Sequence, residues 1–155
     1  MYNKSYYEQN KEKILASRKT PEFRERLKQW RKERTEQDPS FRDRRREEAK
    51  RSDRKRRRRN RELLNKIKLH YGCMNPGCCW TGDLHPACLD YHHINGEDKK
   101  FGAAQCHRPT ALLINEINKC TVVCANCHRM ITWGKLDGSQ IRKCRISSTG
   151  DILDD

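Results

Sequence analysis

The chain has 155 residues, of which 34% are hydrophobic, and it carries a formal net charge of +14. This length allows one compact domain with an appendage, and the low apolar content excludes a core that includes most of the chain. No apolar run approaches the roughly 20 residues that a membrane span needs. The N-terminus also lacks the apolar region of a signal peptide. We therefore expect an intracellular, cytoplasmic protein with reduced cysteines and no membrane partner.

The positive charge is confined to the first part of the chain. Residues 1–70 hold 26 Lys and Arg against 12 Asp and Glu, whereas residues 71–155 hold 9 against 9. A one-sided positive field attracts polyanions, and neutralising phosphates with Lys and Arg releases counterions, which favours binding. A nucleic acid is therefore the expected partner.

Residues 1–69 are predicted to form an extended, basic and mostly helical arm. A near-repeat begins at Thr20 and again at Asp38, 18 residues later, and each copy continues with proline. Thr and Asp are good N-caps, and proline at the first helical position loses no hydrogen bond. The pattern predicts helices over about residues 5–19, 21–37 and 39–63. Because apolar residues are sparse, we expect these helices to become firm only on a partner.

Two clusters of basic residues lie in the third predicted helix. Attached to a nucleic-acid enzyme they would bind phosphates, although a solvated helix face or a nuclear-localisation-like tract is an alternative for such a run. The predicted nucleic-acid-binding residues are Arg44, Arg45, Arg46, Arg54, Lys55, Arg56, Arg57, Arg58 and Arg59.

Two pairs of closely spaced cysteines frame the second half of the chain. Cys73 and Cys78 form a C-x4-C pair, and Cys124 and Cys127 form a C-x2-C pair. Each pair can place both sulfurs on one ion through a tight turn, and four thiolates make a closed tetrahedral zinc site. We expect a structural Zn²⁺ at these four residues, with Cys79 as an alternative to its neighbour Cys78.

Three histidines are candidates for a second, catalytic metal centre. His92 and His93 end a predicted strand, and His128 follows the zinc ligand Cys127 at the start of a predicted helix. Adjacent strand residues point to opposite faces, so the two imidazoles must have different roles unless the strand bends. Two strands and a helix would form a ββα unit able to hold one divalent ion. Alternatively, the histidines fill space in a non-catalytic zinc-ribbon DNA-binding or regulatory protein.

The patterns C-x4-C, L-D-Y-H-H-I and V-V-C-A-N-C-H-R, over residues 70–135, resemble the HNH endonuclease family. They are most similar to small phage HNH nucleases, including free-standing homing endonucleases. The resemblance implies a ββα-metal domain in which His93 is the general base and His92 and His128 bind one divalent ion. Mg²⁺, Mn²⁺ or another divalent metal would stabilise the charge that develops during phosphodiester hydrolysis.

The middle residue of the family motif is displaced in this sequence. Family members carry asparagine nine residues before the final histidine, and Lys119 stands there, with Asn118 one residue earlier. A slip of one residue turns a strand side chain to the other face. We expect Asn118 to take the catalytic role if the strand entry is bulged. Otherwise Asn126 or a backbone carbonyl would orient the loop of His93.

Together these features predict an α+β protein in three parts. A basic arm (1–69) precedes an HNH nuclease domain with a four-cysteine zinc site (70–135) and a C-terminal tail (136–155). The expected function is a DNA endonuclease that acts on double-stranded DNA and takes no small-molecule substrate. A monomer and a dimer are equally compatible with these patterns, and structured RNA is an alternative partner.

Overall fold

The computed structural model describes residues 4–80 and 84–153 and has an α+β architecture. No helix in these ranges is both long enough and apolar enough to cross a bilayer. The elements are α1 (Lys4–Ser17), α2 (Pro21–Gln37), α3 (Phe41–Tyr71), β1 (Leu89–His93), α4 (Thr110–Ile117), β2 (Cys120–Cys124) and α5 (Ala125–Thr132).

The chain divides into two compact units, Met1–Lys50 and Arg51–Asp155. In the first unit, the Thr20 hydroxyl caps α2 by accepting from the Phe23 amide at 3.2 Å, as predicted. No residue of α2 is buried. The third predicted helix starts later than expected, at Phe41, although the Asp38 carboxylate still accepts from the Ser40 amide. Local capping, rather than burial, therefore defines these helices.

The second half of α3 belongs to the second unit. Asn60, Leu64 and Ile67 are buried on one side of this highly charged helix. The Asn60 amide group donates to the carbonyls of Cys106 and Arg108, each at 2.9 Å. The predicted end of the arm at residue 69 therefore differs from the structural division, since residues 51–69 pack with the compact unit.

A two-stranded antiparallel sheet lies at the centre of this unit. Leu89 of β1 is paired with Cys124 of β2, and His93 is paired with Cys120. Every residue of β2 is buried, which explains its continuous apolar sequence. Helix α5 contacts both strands, so two strands and a helix form the predicted ββα arrangement.

The C-terminal segment is part of the core and not a tail. Ile141, Cys144 and Ile146 are each at most 4% exposed. The Cys144 amide donates to the Cys120 carbonyl of β2 at 2.8 Å. The predicted boundary at residue 135 is therefore wrong for the described part of this segment, because its isolated apolar residues fill the side of the core next to β2.

Candidate functional site

Four cysteine sulfurs lie within 4.8 Å of one another, at Cys73, Cys78, Cys124 and Cys127. The first two follow the end of α3, and the other two lie where β2 passes into α5. Four sulfurs bound to one zinc ion at about 2.3 Å lie about 3.8 Å apart, and the Cys78 and Cys124 sulfurs are 3.9 Å apart. These four thiols could hold one metal ion, and their geometry is compatible with structural zinc.

Polar N–H groups surround this cluster. The Cys124 amide donates to the Cys73 sulfur at 3.2 Å, and the Cys127 amide donates to the Cys124 sulfur at 3.4 Å. The Asn75 side chain donates to the Cys127 sulfur at 3.2 Å. Burial nevertheless raises the pKa of the Cys127 thiol to about 12. A bound cation would favour the thiolate form of these sulfurs.

Cys79 is exposed and lies outside this cluster, so Cys78, and not its neighbour Cys79, belongs to the set of four cysteines. Cys120 and Cys144 are buried in the core. Burial raises the pKa of both of these thiols to about 12, so they are neutral core residues.

All three candidate histidines line one cleft of about 440 Å³. His92 and His93 come from the end of β1, and His128 comes from the first turns of α5. Because Cys127 belongs to the sulfur cluster, a metal ion bound there would anchor the helix start that carries His128. The histidines are therefore brought together as the sequence predicted.

His92 and His128 have the separation expected of two ligands on one ion. Their ring centroids are 5.3 Å apart, and two imidazoles bound to one ion at about 2.1 Å would have centroids about 5 Å apart. Burial, with the nearby His128 and His93, lowers the pKa of His92 and favours the neutral form that binds metals.

The Asp90 carboxylate lies 3.1 Å from Nδ1 of His128. Such a carboxylate fixes the tautomer and orientation of a metal-binding histidine, and leaves Nε2 of His128 available.

His93 has a different partner, the buried carboxylate of Glu116. Nε2 of His93 lies 2.9 Å from Oε1 of Glu116, and these side chains are 8% and 2% exposed. The same carboxylate accepts from the backbone amide of Lys100 at 2.8 Å and from the ammonium of Lys119 at 2.8 Å. Burial alone would raise the pKa of Glu116, but these donors lower it to about 2. The adjacent histidines thus have separate partners, although both line the same cleft.

The sequence did not single out Glu116. A signal was present, because Glu116 is the one acidic residue of α4, whose sequence TALLINEI is mostly apolar. A carboxylate on the buried side of a short helix needs partners, and here they are an imidazole, an ammonium and backbone amides.

Asn118 does not contact the histidines. Its side-chain nitrogen donates to the Ile146 carbonyl at 2.9 Å, and its oxygen accepts from the Ile146 amide at 2.8 Å. The prediction that Asn118 orients the His93 loop is therefore wrong, because both ends of its amide bond the C-terminal segment. Glu116 and Lys119 stand beside His93 instead. Lys119 lies nine residues before His128, and its ammonium bonds both Glu116 and the Asp98 carbonyl.

The predicted phosphate-binding residues fall into two groups. Paired with acidic residues are Arg44 with Asp38, Arg56 and Arg57 with Asp53, and Arg58 with Glu62. The side chains without an ion pair in the described ranges are Arg45, Arg46, Arg54, Lys55 and Arg59. Of these, the Arg45 guanidinium lies 5.8 Å from the Phe41 ring centroid.

Comparison with protein-family models, curated proteins and solved structures finds no match to this chain.

Proposed function

We propose that this chain is an HNH-type DNA endonuclease that hydrolyses phosphodiester bonds with one divalent metal ion and a histidine general base. The observation that carries the proposal is the single cleft lined by His92, His93 and His128. Within it, His92 and His128 lie together while His93 is bonded to a buried carboxylate. Residues that merely filled space would not need this division of partners.

Two metal ions have separate roles in the proposal. Zn²⁺ at Cys73, Cys78, Cys124 and Cys127 is structural, because four thiolates leave no open coordination position. Mg²⁺, Mn²⁺ or another divalent ion at His92 and His128 would act as a Lewis acid and stabilise charge on the phosphate and on the departing 3′ oxygen.

His93 acts as the general base. It takes a proton from water as the water oxygen attacks phosphorus and the bond from phosphorus to the 3′ oxygen breaks. The products are a 5′ phosphate and a 3′ hydroxyl, whose proton comes from solvent. Glu116 bonds Nε2 of His93, which holds the proton on that nitrogen and leaves Nδ1 as the acceptor. Imidazole suits this role because its ordinary pKa of about 6.5 lies close to neutral pH.

The basic helices supply affinity for the polymer. Lys and Arg contacts to phosphates are independent of base sequence and fix the position of the protein on the duplex. The DNA partner and the homing type of activity rest on resemblance to phage HNH enzymes. Mapping the products on a phage genome tests the latter, because a homing enzyme produces fixed termini and a general nuclease produces scattered ends.

Plasmid cleavage by the zinc-loaded full-length chain in Mg²⁺ or Mn²⁺ tests the catalytic assignment. We expect His93→Ala to lower the cleavage rate by about 10² to 10⁴, the usual contribution of a general base. Zinc content and DNA affinity should be retained. His107→Ala is the matched control, because His107 is exposed and lies outside the cleft.

One outcome would favour the alternative, a zinc-containing DNA-binding protein without catalysis: the unaltered protein never cuts DNA with either metal. Equal cleavage by His93→Ala and His107→Ala would instead refute His93 as the general base. Competition between duplex DNA and structured RNA at moderate salt tests the choice of polymer.

A further inference from the structure

A line of three cations follows one side of α3 and ends in the imidazole cleft. Arg54, Arg61 and Lys68 are spaced by seven residues. Seven residues are nearly two helical turns, so successive members are rotated by only about 20°. At about 1.5 Å per residue, the line is about 21 Å long. All three residues belong to the second compact unit, Arg51–Asp155.

The two outer members are available to bind an anion. Arg54 and Arg61 are exposed, and neither forms an ion pair within residues 4–80 and 84–153. Other arginines of the same helix are already paired, because the Asp53 carboxylate binds Arg56 and Arg57. The internal carboxylates thus neutralise other arginines of this helix and leave the line itself charged.

Lys68 brings the line into the cleft. It lines the same cavity as His92, His93 and His128. Its ammonium lies 5.5 Å from the Tyr91 ring centroid and donates to the Pro86 carbonyl at 3.2 Å. An ammonium has three donors, and Pro86 is its only hydrogen-bond acceptor among the described residues. Two donors therefore remain for a ligand that enters the cleft.

We propose that Arg54, Arg61 and Lys68 form a track for the phosphates of one DNA strand, with Lys68 on the phosphate that enters the imidazole cleft. A length of about 21 Å is enough for the three cations to contact different phosphates of one strand. The contacts made by Arg54 and Arg61 need only DNA binding. The role of Lys68 at the reacting phosphate rests on the proposed nuclease function.

The salt dependence of duplex DNA binding tests the track without any cleavage. Fluorescence anisotropy would be measured for the full-length, zinc-loaded chain without Mg²⁺, comparing Arg54→Gln, Arg61→Gln and Lys68→Gln with the unaltered protein. The plot of log affinity against log salt should lose about one unit of slope for each variant, the effect of one phosphate contact.

Lys66→Gln is the matched control. Lys66 is exposed on the same helix, carries the same charge and lies on a different face. We expect it to leave the slope unchanged. Track variants whose slopes equal that of the unaltered protein would overturn the track. A loss of slope in Lys66→Gln as large as in the track variants would also overturn it. Zinc content and circular dichroism would show that each variant is folded.

Steady-state cleavage tests the position of Lys68. Lys68→Gln should lower kcat about 100-fold with little change in KM, because a donor to developing charge acts mainly in the transition state. Lys68→Arg should recover part of that loss, whereas Arg54→Gln should raise KM and leave kcat unchanged. An equal effect of Lys68→Gln and Arg54→Gln on KM alone would overturn the placement of Lys68.

The two proposals fail in different ways. A chain that never cuts DNA but shows the expected slopes would keep the phosphate track and refute the nuclease. Metal-dependent cleavage with slopes that no track variant changes would keep the nuclease and refute the track.

Discussion

Replacing Glu116 with glutamine tests whether this buried carboxylate stabilises the second compact unit of the protein. The pKa of Glu116 lies at about 2 instead of 4.5, and each pKa unit corresponds to about 1.4 kcal/mol. The ionised form therefore stabilises the fold by about 3 kcal/mol. Glutamine keeps an acceptor for one amide but directs an N–H₂ group toward the Lys119 ammonium. We expect Glu116→Gln to lower the free energy of unfolding by about 3 kcal/mol at neutral pH.

Urea unfolding of the zinc-loaded protein, followed by circular dichroism, measures this difference. Glu62→Gln is the control, because Glu62 also forms an ion pair but both partners are more than half exposed. Such surface pairs contribute about 0.5 kcal/mol. A Glu116→Gln variant no less stable than Glu62→Gln would refute the assignment of a buried, multiply bonded carboxylate.

The direction in which pH changes the stabilisation by Glu116 follows from its lowered pKa. The folded-state pKa of Glu116 is lowered, so its stabilisation is present above about pH 4.5 and is lost as the pH falls toward 2. Zinc loss in acid affects both proteins. The difference in unfolding free energy between the unaltered protein and Glu116→Gln should therefore shrink on acidification, and a constant difference would contradict the ionic interpretation.

Two further predictions concern what holds the second unit together. Cys124→Ser, or removal of the metal with a strong chelator, should abolish stoichiometric zinc binding and cooperative unfolding, because metal binding is part of the folding free energy of such a site. Atomic absorption measures the zinc content, and thermal melts measure the unfolding. Asn60→Ala should lower the free energy of unfolding in urea by about 3 kcal/mol, since two carbonyls and a hydroxyl lose the buried Asn60 amide as their partner. Asn65→Ala, on the exposed side of the same helix, should change stability by less than about 0.5 kcal/mol.

Features with local causes were predictable from the sequence. Helix α2 begins and ends at the predicted residues, because Thr20 and Pro21 define its start without tertiary contacts. Each cysteine pair also follows from local geometry, since it needs only a tight turn, whereas the meeting of the two pairs depends on the tertiary structure. The strand that ends in His93 was predictable from apolar patterning.

The partner of the proposed general base depended on packing. Glu116 and His93 are 23 residues apart, and their contact depends on how α4 packs next to β2, the strand that pairs with β1. The spacing expected from the resemblance to the HNH motif predicted a role for Asn118 instead. Spacing along a chain does not specify which side chains meet when they come from different elements, because that depends on how the elements pack.

The domain boundaries also depended partly on the sequence and partly on the tertiary structure. Composition correctly located the basic helices and the cysteine-rich region, because charge and ligand type are properties of the residues themselves. Only the tertiary structure placed the end of α3 and the C-terminal segment in the core. Ile67, Ile141 and Ile146 are each flanked by polar residues along the chain, and their burial depends on surfaces supplied by distant elements.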